Sequence, residues 1–102
     1  MKVLAMEIEM EGVDPEQFRP YLNPEARRVW ELYQDGTIRE FYFREDRPKA
    51  VLMLECADAS EALQRLESLP LVKAGLITFD IIPLVPYPGI ARLFGDGTPM
   101  DR

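Results

Sequence analysis

Alternating apolar and polar residues mark the first strand of this chain. Between Lys2 and Met10, one set of alternate positions is apolar throughout, while the other set passes from apolar to acidic. The first set is Leu4, Met6, Ile8 and Met10, and the second is Val3, Ala5, Glu7 and Glu9. A two-residue period is typical of a strand with one buried face. We therefore expect the even-numbered residues to face the helices and the odd-numbered residues to face away from them.

Two later segments have the three-to-four-residue spacing of amphipathic helices. The first begins at Asn23-Pro24-Glu25, where a capping side chain, a proline and an acid suit a helix N-terminus, and it ends at Gly36. Its apolar stripe contains Ala26, Val29, Trp30 and Tyr33. The second begins at Asp58 and ends before Pro70, with an apolar stripe of Ala59, Ala62, Leu63 and Leu66.

Three further strands complete the pattern. Ile38 to Arg44 and Ala50 to Cys56 flank a short polar turn, which predicts an antiparallel hairpin, and Leu76 to Leu84 is the last strand. The order strand, helix, strand, strand, helix, strand predicts an α+β, ferredoxin-like sandwich with a four-stranded antiparallel sheet. Helices cover only one face of such a sheet, so we expect two copies to pair as a dimeric α/β barrel.

The length of 102 residues predicts a single domain. Pro83, Pro86 and Pro88 prevent regular pairing after the last strand. We interpret residues 1–94 as the domain, with 86–94 as a tail that docks on a neighbouring subunit, and residues 95–102 as a frayed C-terminus.

Composition excludes several classes of function. The formal charge is −6, which disfavours nucleic acid as a partner. No run of about 20 apolar residues is present, so the sequence predicts no membrane span. Met1-Lys2-Val3-Leu4 is followed closely by Glu7 and Glu9, so we expect no signal peptide. A cytoplasmic location fits the single cysteine. Without histidine, the chain has neither a Ser-His-Asp triad nor an imidazole metal site. Carboxylates alone suit Mg²⁺, Ca²⁺ or Mn²⁺, so a metalloenzyme is the weakest of the hypotheses and we expect no metal.

Strand parity predicts where the ionisable groups lie. The face away from the helices is expected to carry Glu7, Glu9, Glu40, Tyr42, Arg44, Met53, Glu55, Thr78 and Asp80. One interpretation is a partly enclosed small-molecule cavity between two sheets, and the other is an ordinary solvated face.

The cavity interpretation assigns a role to each group. Glu40 would move a proton and Tyr42 would donate a hydrogen bond to an oxyanion. Arg44 would hold an anionic substrate, with Glu7 and Asp80 as further substrate-binding residues. A structural ion pair between Glu40 and Arg44 is the alternative.

Two motifs carry a resemblance to a known family. The stretch Leu32-Tyr33-Gln34-Asp35-Gly36-Thr37-Ile38-Arg39-Glu40 contains a Gly-x-x-Arg pattern, and Leu69-Pro70-Leu71 precedes the last strand. Over roughly residues 2–94, the chain resembles the muconolactone isomerase-like family of dimeric α/β barrels, and it is also similar to YCII-like proteins.

The resemblance implies a cofactor-free isomerase that shifts a proton within an unsaturated lactone acid, and homodimers that assemble further. Gly36 and Arg39 carry over as motif positions, which makes Arg39 a substrate-binding candidate. The isomerases often have a histidine where this chain has Glu40. The alternative function is therefore a non-catalytic binding or accessory oligomer that has lost the histidine. Strand parity places Arg39 on the opposite face from Glu40.

Overall fold

The computed structural model describes residues 1–95, and its four strands form one antiparallel sheet. The strands are β1 (Lys2–Glu9), β2 (Ile38–Phe43), β3 (Ala50–Glu55) and β4 (Ile77–Pro83). Their order across the sheet is β2-β3-β1-β4. This arrangement confirms the predicted ferredoxin-like fold, including the hairpin between β2 and β3.

The two predicted helices are present, and three short helices are additional within residues 1–95. They are α1 (Leu22–Gln34), α2 (Ala59–Leu66) and α3 (Pro70–Lys73), and 3-10 helices span Pro15–Tyr21 and Pro88–Leu93. The sequence pattern did not predict α3, because it placed the end of the second helix before Pro70. The apolar stripe of α1 also differs from the prediction, because Leu32 is fully buried while Trp30 is 52% exposed. The Trp30 ring stacks instead on Tyr33, with the ring centroids 5.5 Å apart.

The predicted parity of β1 is wrong. Val3 and Ala5 are fully buried in one cluster with residues of α1 and α2, so the odd-numbered residues face the helices. Strand register gives the same result, since Val3 lies opposite Leu54 and Ala5 opposite Leu52. The even-numbered residues are larger and more apolar, but they lie on the face that no helix of residues 1–95 covers. The hydrophobic pattern did not identify the helix-facing side, because both faces of β1 carry apolar residues.

The face without helices, which we call the open face, is consequently more apolar than expected. Its central residues are Leu4, Met6, Val51, Met53 and Ile82. Glu7 and Glu9 are absent from it, which corrects the predicted set. Strands β3 and β4 have the predicted parity, with Leu52 and Leu54 buried.

A β-bulge in β2 explains the uncertain position of Arg39. Ile38 lies opposite Leu54 and Glu40 lies opposite Met53, so Arg39 and Glu40 together occupy one register position. The charge of Arg39 also acts on Glu55, whose carboxyl pKa is lowered first by a hydrogen bond from the N-terminal ammonium. Arg39 and Glu40 therefore lie on the same side of the sheet, and the parity prediction that separated them is wrong.

The segment after β4 presents apolar side chains to solvent. Val85 is 74% exposed, Leu93 is 73% exposed and Phe94 is 83% exposed. The expected frayed C-terminus from residue 95 onward lies, apart from Gly95, outside the described residues.

Gly36 connects α1 to β2 through a left-handed turn. Its φ angle is 86°, a conformation that costs an L-residue about 1–2 kcal/mol. Arg39 Nε donates a hydrogen bond to the Gly36 carbonyl at 2.7 Å, so the two motif residues hold the turn together.

We expect Gly36→Ala to lower the free energy of unfolding by about 1–2 kcal/mol in urea denaturation. Gly36→Asn should lose less, because asparagine tolerates this region, and equal stability of all three proteins would contradict the prediction.

Candidate functional site

A cavity of about 420 Å³ lies between α1 and the side of the sheet that faces the helices. Its volume is within the range of about 300–1,000 Å³ typical of small-molecule pockets. The base is formed by Leu52, Leu69 and Leu71, all of which are buried. The mouth is formed by Leu22 and Phe43, which are more than half exposed. The cavity is therefore closed at its apolar base and accessible from solvent at its mouth.

Glu7 enters this cavity from β1. It lies on the helix-facing side because its register position is opposite Phe79, which also lines the cavity. Its Oε1 atom accepts a hydrogen bond from the Ala50 amide at 3.0 Å. Burial raises the pKa of the Glu7 carboxyl, and this outweighs the lowering by the Ala50 amide and by the charge of Lys49. The charge of Glu9 raises it further.

Glu25 enters the same cavity from the first turn of α1. Its Oε1 atom accepts a hydrogen bond from the Leu71 amide at 2.9 Å, which ties α1 to α3. Burial raises the pKa of the Glu25 carboxyl more than the Leu71 amide lowers it, and the nearby charge of Glu7 adds to the increase. The charge of Glu7 thus acts on the Glu25 carboxyl, and both groups line one apolar cavity.

Glu25 was missed as a functional candidate. The sequence interpretation assigned it to the positive end of the helix, a role that any exposed acid can fill. A signal was nevertheless present, since Glu25 lies four residues before Val29 and seven before Leu32. Those positions share one face of a helix, so an acid was placed on the buried stripe.

The predicted catalytic pair lies elsewhere. Tyr42 donates a hydrogen bond to Glu40 Oε1 at 2.9 Å, and both side chains are exposed. This hydrogen bond is the main reason that the pKa of the Tyr42 phenol is raised, with the charge of Glu40 adding to it. Glu40 borders a second pocket of about 550 Å³ on the open face, next to Met53 and Glu55. The pair is therefore separated by the sheet from Glu7 and Glu25, although Tyr42 also reaches the cavity rim.

The remaining predicted residues are distributed over three places. Arg44 follows β2 and pairs with Asp46 through two hydrogen bonds of 2.9 Å and 2.7 Å, so the expected alternative of a pair with Glu40 is wrong. Arg39 is engaged with the Gly36 carbonyl. Asp80 is exposed on the open face, opposite Met6. None of these three side chains lines the cavity among the described residues.

Within residues 1–95, no group of three or more histidine, cysteine or carboxylate side chains is arranged to hold a metal ion. None of the helices in this part of the chain is long and apolar enough to cross a bilayer.

The fold places this protein in the class of ferredoxin-like α+β proteins with a four-stranded antiparallel sheet. A solved structure of 5-chloro-2-hydroxyhydroquinone dehydrochlorinase from Burkholderia phenoliruptrix AC1100, in complex with 2,5-dihydroxybenzoquinone, has the same fold with a TM-score of 0.67. The two sequences are 16% identical, and the match covers 83% of this chain and 94% of that one. Among curated proteins, no sequence matches this chain. The chain belongs to the muconolactone delta-isomerase family, which matches residues 3–89 and confirms the family predicted from the two motifs.

Proposed function

We propose that this protein catalyses cofactor-free proton transfer on a small cyclic metabolite held between α1 and the sheet. The observation that carries this proposal is the presence of two carboxyl groups, Glu7 and Glu25, with raised pKa values in one apolar cavity. A carboxyl group transfers protons best when its pKa is near the working pH. Family membership supports an isomerase or lyase reaction.

The two carboxyl groups suit an isomerisation that conserves atoms. One ionised carboxylate removes a proton from a carbon next to a carbonyl or lactone group, and the electron pair shifts along the unsaturated system. The other carboxyl, in its protonated form, returns a proton at a second carbon. Each group accepts a backbone hydrogen bond through Oε1, which fixes its orientation toward the ligand space.

The pair of Glu40 and Tyr42 remains a second candidate site, because the 2.9 Å hydrogen bond between them lies on the face that a second copy would cover. The predicted substrate-binding roles of Arg39, Arg44 and Asp80 stay predictions. A non-catalytic binding protein is the alternative function, and the absence of histidine supports it.

Deuterium exchange tests the proposed function even though the substrate is unidentified. A panel of unsaturated lactones and cyclic ketones is incubated in D₂O with the purified protein, and deuterium incorporation is followed by proton NMR. We expect enzyme-dependent exchange at an acidic carbon of at least one compound. Binding of panel members with no exchange above the buffer rate would favour the accessory protein instead.

We also propose that the protein is a homodimer in which two open faces pack together. The apolar residues at the centre of that face support this arrangement, since contiguous exposed apolar surface is typical of interaction sites. Membership of the muconolactone delta-isomerase family supports it as well, because the resemblance to that family implies homodimers. A cytoplasmic location is proposed on the basis of Cys56, a buried free thiol.

The exposed apolar residues after β4 support an assembly of more than two subunits. Because Val85, Leu93 and Phe94 lack apolar cover in one copy, we expect residues 86–94 to dock on a neighbouring subunit. Deleting residues 86–102 should lower the number of subunits per particle, as measured by light scattering. A shorter deletion of residues 96–102 serves as the control and should leave the number of subunits unchanged. An unchanged assembly after the longer deletion would contradict the docking role.

A further inference from the structure

The charges around the cavity restrict the kind of molecule that it can hold. Apart from Glu7, Glu25 and the rim residue Tyr42, every described residue that lines the cavity is apolar. No arginine or lysine lines it within residues 1–95. The lining instead includes aromatic rings from two strands, Phe41 and Phe79.

The cations of the surrounding elements are either engaged or outside the lining. Arg28 Nε on α1 donates to Ser68 Oγ at 2.9 Å, and its Nη1 donates to Glu31. Arg44 is paired with Asp46. The charge of Lys49 acts on Glu7, but the lysine itself is outside the cavity lining.

An anionic ligand would meet unfavourable electrostatics here. A carboxylate leaving water needs a paired cation, and in this cavity it would approach two acidic side chains over an apolar surface. A neutral ring avoids that desolvation cost and gains from contact with the apolar walls. Its carbonyl or hydroxyl groups still find partners, because a carboxylate accepts from a hydroxyl and a protonated carboxyl donates to a carbonyl.

We propose that the ligand of this cavity is a neutral, ring-sized molecule bearing carbonyl or hydroxyl groups, and that the cavity discriminates against carboxylate-bearing analogues. As a statement about substrate, this rests on the proposed function. It departs from the lactone acid that the family resemblance implied. Charge selection arises from Glu7 and Glu25 together with the absence of a lining cation among the described residues.

A matched pair of probes tests the charge selectivity directly. Benzamide and benzoate have nearly the same size and shape, but only benzoate is charged near pH 7. Each is titrated into the ¹⁵N-labelled full chain, and amide shifts are followed. We expect benzamide to bind at least about tenfold more tightly, with shifts concentrated at cavity residues such as Ala26, Val29 and Leu52. Equal or tighter binding of benzoate, or no benzamide shifts at these amides, would overturn the proposal.

A variant separates charge selection from shape. Glu7→Gln keeps the acceptor for the Ala50 amide and removes a group that can carry a negative charge. It should improve benzoate binding by about threefold or more and change benzamide binding less. If this variant is not folded in its own spectrum, Glu25→Gln provides the same comparison. A benzoate affinity unchanged in the folded variant would show that the carboxylates do not set the selectivity.

These measurements require no turnover, so the two proposals fail separately. A protein that exchanges substrate protons but prefers benzoate would overturn the charge selectivity alone. A protein that prefers benzamide in the cavity but exchanges no proton would overturn the catalytic function alone.

Discussion

Replacing Glu7 or Glu25 with glutamine is expected to slow proton exchange by about 10²- to 10⁴-fold, the contribution typical of a positioned acid or base. Glutamine keeps the side-chain length and an oxygen that accepts from the Ala50 or Leu71 amide. The cavity geometry is therefore retained while the transferable proton is lost. The measurement is the rate of deuterium incorporation into the best compound of the exchange panel.

The pH dependence of exchange should show that the base is a carboxyl group with a raised pKa. Burial raises the pKa of both carboxyl groups above the ordinary value of 4.5. The residue that removes the proton must be ionised, so the wild-type rate should fall as the pH decreases through this raised pKa. The charges of Lys49 and Glu9 act on Glu7 in opposite directions, with Lys49 lowering and Glu9 raising its pKa.

The same pKa shift has a consequence for stability with a definite sign. A carboxyl whose pKa is raised on folding binds its proton more tightly in the folded chain, so folding is favoured as the pH falls through that pKa. Above it, the buried charge disfavours the folded state. Glu7→Gln should therefore unfold at a higher temperature than the wild type near pH 7, and the gain should vanish below the unfolded-state value of about 4.5.

Two control variants make the assignment specific. Glu9→Gln removes a carboxylate next to Glu7 that does not line the cavity, and Glu40→Gln removes the acid of the second candidate site. We expect both to change the exchange rate by less than about threefold. A large loss in Glu40→Gln with little change in Glu7→Gln and Glu25→Gln would assign the chemistry to the open face.

Replacing Met6 with lysine is expected to dissociate the homodimer. Met6 lies on the open face with Asp80 directly opposite on β4, so a lysine has a cross-strand partner and the subunit should fold. Between two packed sheets, the same ammonium group must leave water, which costs several kcal/mol when it is poorly compensated. We expect the dimer dissociation constant to increase by about 10²- to 10³-fold in sedimentation equilibrium.

Leu63→Lys is the matched control. Leu63 is an exposed aliphatic residue on α2, at 47% exposure, and lies on the helix side of the molecule. The variant should keep the dissociation constant of the wild type. If Met6→Lys and Leu63→Lys were equally dimeric with intact circular dichroism, the open face would not be the dimer interface.

Local residue patterns were sufficient to predict most of the fold. Two amphipathic helices, a tight hairpin and a last strand before a proline-rich tail leave few ways to arrange four strands, and β3 and β4 have the predicted parity. The parity of β1 was predicted wrongly for a specific reason. Its open face carries larger apolar residues than its buried face, where only Val3 and Ala5 precede Glu7. A strand with two apolar faces does not reveal by itself which face the helices cover.

The candidate site depended on that one unresolved choice. With the parity of β1 reversed, Glu7 moves from the open face to the cavity, where it joins Glu25 from α1. The sequence did not predict the bulge in β2 either. One extra residue changes which face the neighbouring side chains occupy, but it leaves no mark in the composition of the strand.

By itself, the sequence determined the ferredoxin-like order of elements, the family, and the absence of histidine chemistry, because these follow from periodicity, motif residues and composition. Only the tertiary structure decided which carboxyl groups share a desolvated cavity. Burial and proximity are properties of packing between α1, α3 and the sheet, and a carboxyl acquires its raised pKa only where those elements exclude water from it.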